Sequence, residues 1–210
     1  MKNVFVIDHP LVQHHLVSLR DRRTPPAEFR RIIQRLSILV TYEAAKDLAV
    51  RPTRVQTPLA SARGRTLKQR IGLVPILRAG LGMVDAVLNL IPEAEVWHLG
   101  FYRDEKTFRP VEYYKKFAHA RPVDVALVLD PMLATGGSAV AALEAVKSWG
   151  APRTKLLCVI AAPEGLKVVR AKFPQTQIYV CAVDSHLNRR AFIVPGLGDA
   201  GNRIFNAQAT

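Results

Sequence analysis

Val123-Asp124-Val125-Ala126-Leu127-Val128-Leu129-Asp130-Pro131-Met132-Leu133-Ala134-Thr135-Gly136-Gly137-Ser138 is the stretch that decides how this chain folds. Its apolar run, Val123 to Leu129, reads as a buried strand and stops at an acid, Asp130. A short loop closes on A-T-G-G-S. Behind it Ala139, Val140, Leu143 and Val146 recur on one side of a helix. Strand, glycine loop and helix start form a phosphate-binding geometry. Glycines let the chain turn and bare its N–H groups, and the helix N-terminus adds partial positive charge. An acid at the strand end is placed to accept hydrogen bonds from sugar hydroxyls.

The loop is neither of the commoner phosphate motifs. A Walker A loop requires G-x-x-x-x-G-K-[S/T], and no Lys lies between Asp130 and Ser138. The dinucleotide fingerprint G-x-G-x-x-G does not fit Gly136-Gly137-Ser138. An acid followed by A-T-G-G-S resembles the phosphoribosyl diphosphate loop of the type I phosphoribosyltransferases. The plain alternative is an ordinary glycine turn between strand and helix.

Working outward, 210 residues suffice for one sizeable core, so residues 1–210 are expected to form a single domain. Hydrophobic content of 49% and charged content of 22% match soluble globular proteins. No apolar run approaches the ~18 residues that span a bilayer, so no membrane partner is expected. The start, M-K-N-V-F-V-I-D-H-P, lacks a signal peptide's apolar stretch and cleavage site, which points to the cytoplasm. Cys158 and Cys181 sit in strand-like apolar runs and read as small core residues. His14 and His15 are adjacent on an expected helix and so make poor joint metal ligands. The net charge of +13 favours anionic partners, either nucleic acid or a small polyphosphate. The basic residues are spread along the chain, which argues against a specific nucleic-acid surface.

Helices are expected over residues 9–22 and 27–49, with Thr24-Pro25-Pro26 as cap and start of the second. A buried strand at 71–77 exits through Arg78-Ala79-Gly80, and an apolar helix spans 83–90. A strand at 95–102 is followed by a polar, aromatic arm or loop at 103–117. Strand and helix follow at 123–149, then a strand at 155–161, a helix at 163–172 and a strand at 177–183. This alternation predicts an α/β fold with a mostly parallel central sheet covered by helices on both faces. Arg78, Arg103 and Asp130 all follow strands and should therefore converge at one sheet edge.

Four segments in this order resemble the uracil phosphoribosyltransferase family. They are Pro75-Ile76-Leu77-Arg78-Ala79-Gly80, Phe101-Tyr102-Arg103-Asp104-Glu105, Asp130 to Ser138, and Ile193-Val194-Pro195-Gly196-Leu197-Gly198-Asp199-Ala200-Gly201. The N-terminal H-P-L-V-Q-H, Leu19-Arg20-Asp21-Arg22, Glu28-Phe29-Arg30 and Tyr42-Glu43 match as well. The glycine loop marks the superfamily, and P-G-L-G-D-A-G marks the uracil enzyme. The resemblance implies a type I phosphoribosyltransferase fold with N-terminal helices, a protruding arm and a C-terminal base-binding loop. It implies transfer of phosphoribose from phosphoribosyl diphosphate to N1 of uracil. Arg78, Arg103, Asp130 and Asp199 are then the catalytic candidates. Together with Pro131, Met132, Leu133, Ala134, Thr135, Gly136, Gly137 and Ser138 they would hold phosphoribosyl diphosphate. The main chain around Ile193, Gly198 and Ala200, beside Asp199, would read the uracil edge. Mg²⁺ is implied as a cofactor held mainly by the substrate rather than by the protein. A homodimer or higher homo-oligomer and a GTP effector are implied at the family level.

Three departures from the family pattern stand out. Ala191-Phe192 replaces the usual Gly-Tyr, Asn202 replaces a second acid, and Glu112 replaces a Pro in the arm. Two other readings stay open on the sequence: an RNA-binding regulator built on the same fold, and a phosphoribosyltransferase for orotate or a purine. P-G-L-G-D-A-G argues against both.

Overall fold

The computed structural model describes residues 2–103, 110–115 and 121–207. Strand β1 (Val4–Val6) and helices α1 (Pro10–Arg20) and α2 (Pro26–Ala44) open the chain. A hairpin of β2 (Val50–Gln56) and β3 (Ser61–Leu67) precedes β4 (Ile71–Leu77) and α3 (Leu81–Leu90). Strands β5 (Glu95–Val96), β6 (Leu99–Arg103) and β7 (Pro110–Lys115) follow. The stretch quoted above becomes β8 (Val125–Leu129), β9 (Met132–Leu133) and the start of α4 (Gly137–Trp149). Then come β10 (Arg153–Ala161), α5 (Pro163–Lys172), β11 (Gln177–Val183), a small pair β12 (His186–Leu187) and β13 (Ile193–Val194), and α6 (Ala200–Phe205).

The main sheet runs β1-β11-β10-β8-β4-β6-β7, with β5 beside β4 and β9 beside β10. Its pairings are parallel except for β6 with β7. The predicted parallel α/β architecture is therefore correct. β8 explains why. Every residue of V-A-L-V-L is buried, so the strand must be covered on both faces. Val125, Leu127 and Leu129 join the core under α1, α2 and α3. Ala126 and Val128 join the core under α4, with Ala142, Leu143 and Val146. Each fully buried Val or Leu contributes roughly 1.5–3 kcal/mol of transfer free energy. The period-3.6 stripe of α2 (Phe29, Ile32, Ile33, Leu36 and Val40) is likewise buried.

The structure revises several boundaries. α2 ends at Ala44 and not at 49, because the buried Lys155 ammonium donates to the Ala44 carbonyl and pairs with Asp47, halting the helix there. Thr24 does not cap α2. Its hydroxyl donates to the Ser18 carbonyl, and Pro25 occupies the cap position. The expected strand at 95–102 breaks in two at Trp97 and His98, where the Trp97 N–H donates to the Leu73 carbonyl. Within the expected loop at 103–117, Pro110–Lys115 is a strand antiparallel to β6. Residues 104–109 and 116–120 lie outside the described residues. The hairpin β2–β3 and the short α6 were not foreseen. His14 and His15 do not splay fully apart, since their rings meet edge-on at 5.2 Å. Both cysteines are buried and free, as expected. Among the described residues no helix is long and apolar enough to cross a membrane.

Candidate active site

The parallel strands deliver their C-terminal ends to one edge of the sheet, and the candidate residues lie there. Pro75 on β4 sits opposite Leu129 on β8, so Arg78 and Asp130 leave adjacent strands. Between them there is no spare room. A Cβ on Gly80 would collide with the Leu129 carbonyl oxygen and the Ile76 backbone. Glycine is thus what lets the Arg78 loop lie flat against the end of β8. The Leu77–Arg78 peptide is cis.

Asp130 is partly buried, its N–H donates to the Leu157 carbonyl at 3.2 Å, and the one described hydrogen bond of its carboxylate is a long one, from the Met132 N–H at 3.4 Å. Burial pushes its carboxyl up from 3.8 to about 7, against the opposing pull of the Met132 N–H. Asp130 does not cap α4. That position belongs to Gly136, six residues on, in the left-handed region at φ +84°. Among the described residues the carboxyl has the Met132 N–H as its hydrogen-bond partner and no cation paired with it.

The loop from Ala134 to Ser138 is seated on the start of α5. A Cβ on Gly165 would overlap the Ala134 carbonyl oxygen, and one on Gly136 would come within 3.0 Å of the Gly165 carbonyl. The Ala162 N–H donates to the Leu133 carbonyl at 2.9 Å. The Gly137 N–H lies 3.5 Å from the Thr135 hydroxyl. The loop is thereby fixed from behind by main chain while α4 begins at Gly137. Backbone N–H groups at such a helix start suit a phosphate.

The C-terminal segment closes the edge. Ile193 lies in β13, paired with Leu187. Gly196 and Gly198 are left-handed, at φ +59° and +75°, and a Cβ on Gly196 would strike the Ile193 carbonyl. Asp199 caps α6, accepting from the Asn202 N–H at 2.8 Å. The Asn202 side chain in turn accepts from Arg78 at 3.3 Å. Gly201 faces the Ala79 side chain. Arg78, Asp130, the glycine loop and the Gly198–Ala200 segment are thus brought to one edge. The Arg103 backbone ends β6 next to β4, and its side chain and that of Glu112 lie outside the described residues.

A cavity of about 690 Å³ lies elsewhere, at the opposite ends of β10 and β11, lined by Lys147, Arg153, Lys172 and Phe173. It has none of the converging strand-end residues. The sheet edge with its underbonded acid is the chemically prepared site.

The sequence profile of the uracil phosphoribosyltransferase family matches residues 6–207. The chain belongs to the uracil phosphoribosyltransferase family. A relative named uracil phosphoribosyltransferase, from Roseiflexus castenholzii, is 55% identical over 205 residues, covering 98% of this chain and 99% of that one. The solved structure of a protein from Aquifex aeolicus superposes with a TM-score of 0.92 at 35% identity, covering 99% of this chain and 100% of that chain. Adenine phosphoribosyltransferase from Trypanosoma brucei, solved with AMP, pyrophosphate and ribose-5-phosphate, gives a TM-score of 0.60 at 11% identity. It covers 95% of this chain and 89% of that one, a likeness of fold alone. This phosphoribosyltransferase is accordingly an enzyme of the glycosyl-transferring class.

The structure adds residues to which sequence reasoning gave no role. Asp184 and Arg20 form a bidentate pair behind Gly196, and Arg203 reaches the Leu197 carbonyl. Arg20 stood in a matching motif, L-R-D-R, but nothing local to it says what it holds. Gly165 behind the phosphate loop carries no sequence signal beyond being a glycine in a helix start.

Proposed function

We propose that this phosphoribosyltransferase joins the phosphoribose of phosphoribosyl diphosphate to N1 of uracil. The bond from C1′ to the diphosphate oxygen breaks and a bond from N1 to C1′ forms. Uridine 5′-monophosphate and diphosphate are the products, and the N1 proton leaves to solvent. The 5′-phosphate takes the main-chain N–H groups of Ala134 to Ser138. Asp130 accepts from the ribose hydroxyls, with Pro131, Met132 and Leu133 completing the turn beneath the sugar. Arg78 and Arg103 take the diphosphate, because a planar guanidinium donates to several phosphate oxygens at once. Asp199 faces the same side. As diphosphate departs, C1′ develops oxocarbenium character, so catalysis consists of stabilising the leaving group and aligning N1.

One observation carries this reading most: Asp130, partly buried with its carboxyl raised to about 7 and a single long hydrogen bond on it, stands between the Arg78 loop and the glycine loop. Such a group is completed by hydroxyl donors or by a nearby cation. Mg²⁺ fits there as an ion carried in by the substrate, supplying charge neutralisation on the diphosphate when bound. Asp130 would be the acid on the protein side of that ion.

The uracil edge is read by main chain near Ile193, Gly198 and Ala200. The domain works as one unit over 1–210. Homodimer formation and response to GTP are family-level readings supported by the resemblance. The test is diphosphate release with a panel of free bases. Uracil and 5-fluorouracil should react, and cytosine, orotate and purines should be inert. Comparable kcat/KM with cytosine or hypoxanthine would overturn the base assignment. Tight, sequence-selective RNA binding at physiological salt would instead favour the regulator.

A further inference from the structure

We infer that Arg20 and Asp184 are the positioning pair of the base-reading loop. They lie 164 residues apart in sequence, one at the end of α1 and the other just after β11. Arg20 donates to both carboxylate oxygens of Asp184, at 2.8 and 2.5 Å. The same pair then takes both main-chain groups of Gly196. The Gly196 N–H donates to Asp184 Oδ2 at 2.9 Å, and the Gly196 carbonyl accepts from Arg20 at 2.8 Å.

The site of this attachment matters. Gly196 is in the left-handed region, jammed against the Ile193 carbonyl. It lies between Ile193 and Gly198, two of the three points where main chain is read as facing the base. With its N–H and its carbonyl both held by one rigid ion pair, Gly196 has the peptide on each side of it fixed against rotation. The donor and acceptor directions of its neighbours are fixed with it. Asp184 side chain is 4% exposed and Arg20 25%, so the pair is shielded and water does not readily replace it.

A second guanidinium braces the same stretch. Arg203 donates to the Leu197 carbonyl and the Leu19 carbonyl, each at 2.9 Å, and to the Asp21 carbonyl at 2.7 Å. It lies 4.2 Å over the Phe29 ring. Leu19, Arg20 and Asp21 at the end of α1 are thus stitched to Gly196 and Leu197 from both sides. None of these groups is among the strand-end residues read as holding phosphoribosyl diphosphate, and Asp199 has its own anchor as the cap of α6, so the pair should act chiefly on the base.

The inference rests on the reading of residues 193–200 as the base loop, and its test separates the two. Arg20→Lys keeps the charge but loses the fork. In the full-length enzyme, below its melting temperature, KM for uracil should rise about tenfold, the equivalent of about 1.4 kcal/mol. KM for phosphoribosyl diphosphate and kcat should stay within about twofold. Asp184→Asn should give the same split. Hydrogen exchange at the Gly196 N–H should accelerate in both variants, while exchange over 134–138 stays as in wild type. Equal rises in both KM values, or an unchanged uracil KM in a folded variant, would overturn the proposal. Failure of both variants to fold would do the same, marking the pair as a foundation of the whole fold. A wild-type enzyme inactive on uracil would sink the base reading, while the exchange measurement would still report on the pair.

Discussion

The two loops that frame the site are built by opposite means. The phosphate loop, Asp130 to Ser138, is held by its own neighbourhood: strand β8 before it, α4 after it, and close main-chain packing on Gly165. The base loop, Ile193 to Ala200, is held by side chains outside it, Asp184 before it, Arg203 after it and Arg20 from the other end of the chain. A phosphate is a compact anion that many N–H arrays satisfy, so a local turn suffices. A base edge is a fixed donor–acceptor pattern. Reading it needs main chain held still in one orientation, and a loop with two left-handed glycines does not hold itself.

The largest effect should come from breaking what the two loops share. Arg78 leaves β4 beside Asp130 and touches Asn202 in the base-loop helix. Arg78→Ala should lower kcat/KM by roughly 10²–10³, as loss of one charge-stabilising donor does. Steady-state kinetics with both substrates checks this. A variant within threefold of wild type would remove Arg78 from the site. Arg78→Lys should recover only part of the loss, since a point charge does not replace the fork.

The next effect isolates the phosphate loop. Gly165→Ala places a methyl against the Ala134 carbonyl, which is main chain and cannot swing aside. Overpacking of this kind costs roughly 1–3 kcal/mol of stability. The loop must shift to relieve it. KM for phosphoribosyl diphosphate should rise more than KM for uracil, the reverse of the Arg20→Lys pattern. If both respond alike, the two loops are not independent.

What could be read from sequence follows the same division. The parallel α/β plan, the Asp130 turn and the Arg78 exit were legible because each signal is local: an apolar run, a glycine cluster, an amphipathic stripe. The β2–β3 hairpin was missed because almost every residue in it is exposed and neither strand shows a clean apolar alternation. α6 was missed because six residues give too few turns for a period to register. The Arg20–Asp184 pair was illegible in principle from one sequence. Nothing in L-R-D-R or in the end of β11 points across 164 residues.

A smaller effect concerns the acid between the loops. Asp130 is raised in the folded protein to about 7 from 3.8. The folded state therefore holds its proton where the unfolded chain has lost it. Stability is penalised progressively as pH rises through the window from about 4 to 7, and the penalty is full above it. Asp130→Asn removes the titration. Its melting temperature should exceed that of wild type by a few degrees at pH 8, the gap closing as pH falls toward 4. Activity should fall at the same time, because the amide offers half the acceptors. A melting temperature lowered at pH 8 would show that the carboxylate is satisfied in the free enzyme and is structural.

The smallest effect lies in the turn that leads into the base loop. β12 and β13 are joined by residues 188–192, where the Ala191 N–H donates to the Asn188 carbonyl at 2.9 Å. The Asn188 side chain accepts from the Arg190 and Phe192 N–H groups, at 2.9 and 3.0 Å. This turn needs a left-handed residue at its end, and Ala191 supplies it at φ +59°. The resemblance drawn from the sequence implies glycine at this position, which this geometry would take without strain. A residue with a Cβ costs roughly 1–2 kcal/mol in this region. Ala191→Gly removes that strain but frees the unfolded chain, which costs about 0.4–1 kcal/mol in return. The relief exceeds the cost, so the variant should be more stable by about 0.5–1 kcal/mol, raising the melting temperature by about 1–4 °C. The hairpin ends at Val194, directly before the segment that Arg20 and Asp184 hold. If that pair and not the hairpin sets the base loop, KM for uracil should not change with Ala191→Gly. A uracil KM that shifts with the melting temperature would mean that the base loop takes its shape from the local turn after all.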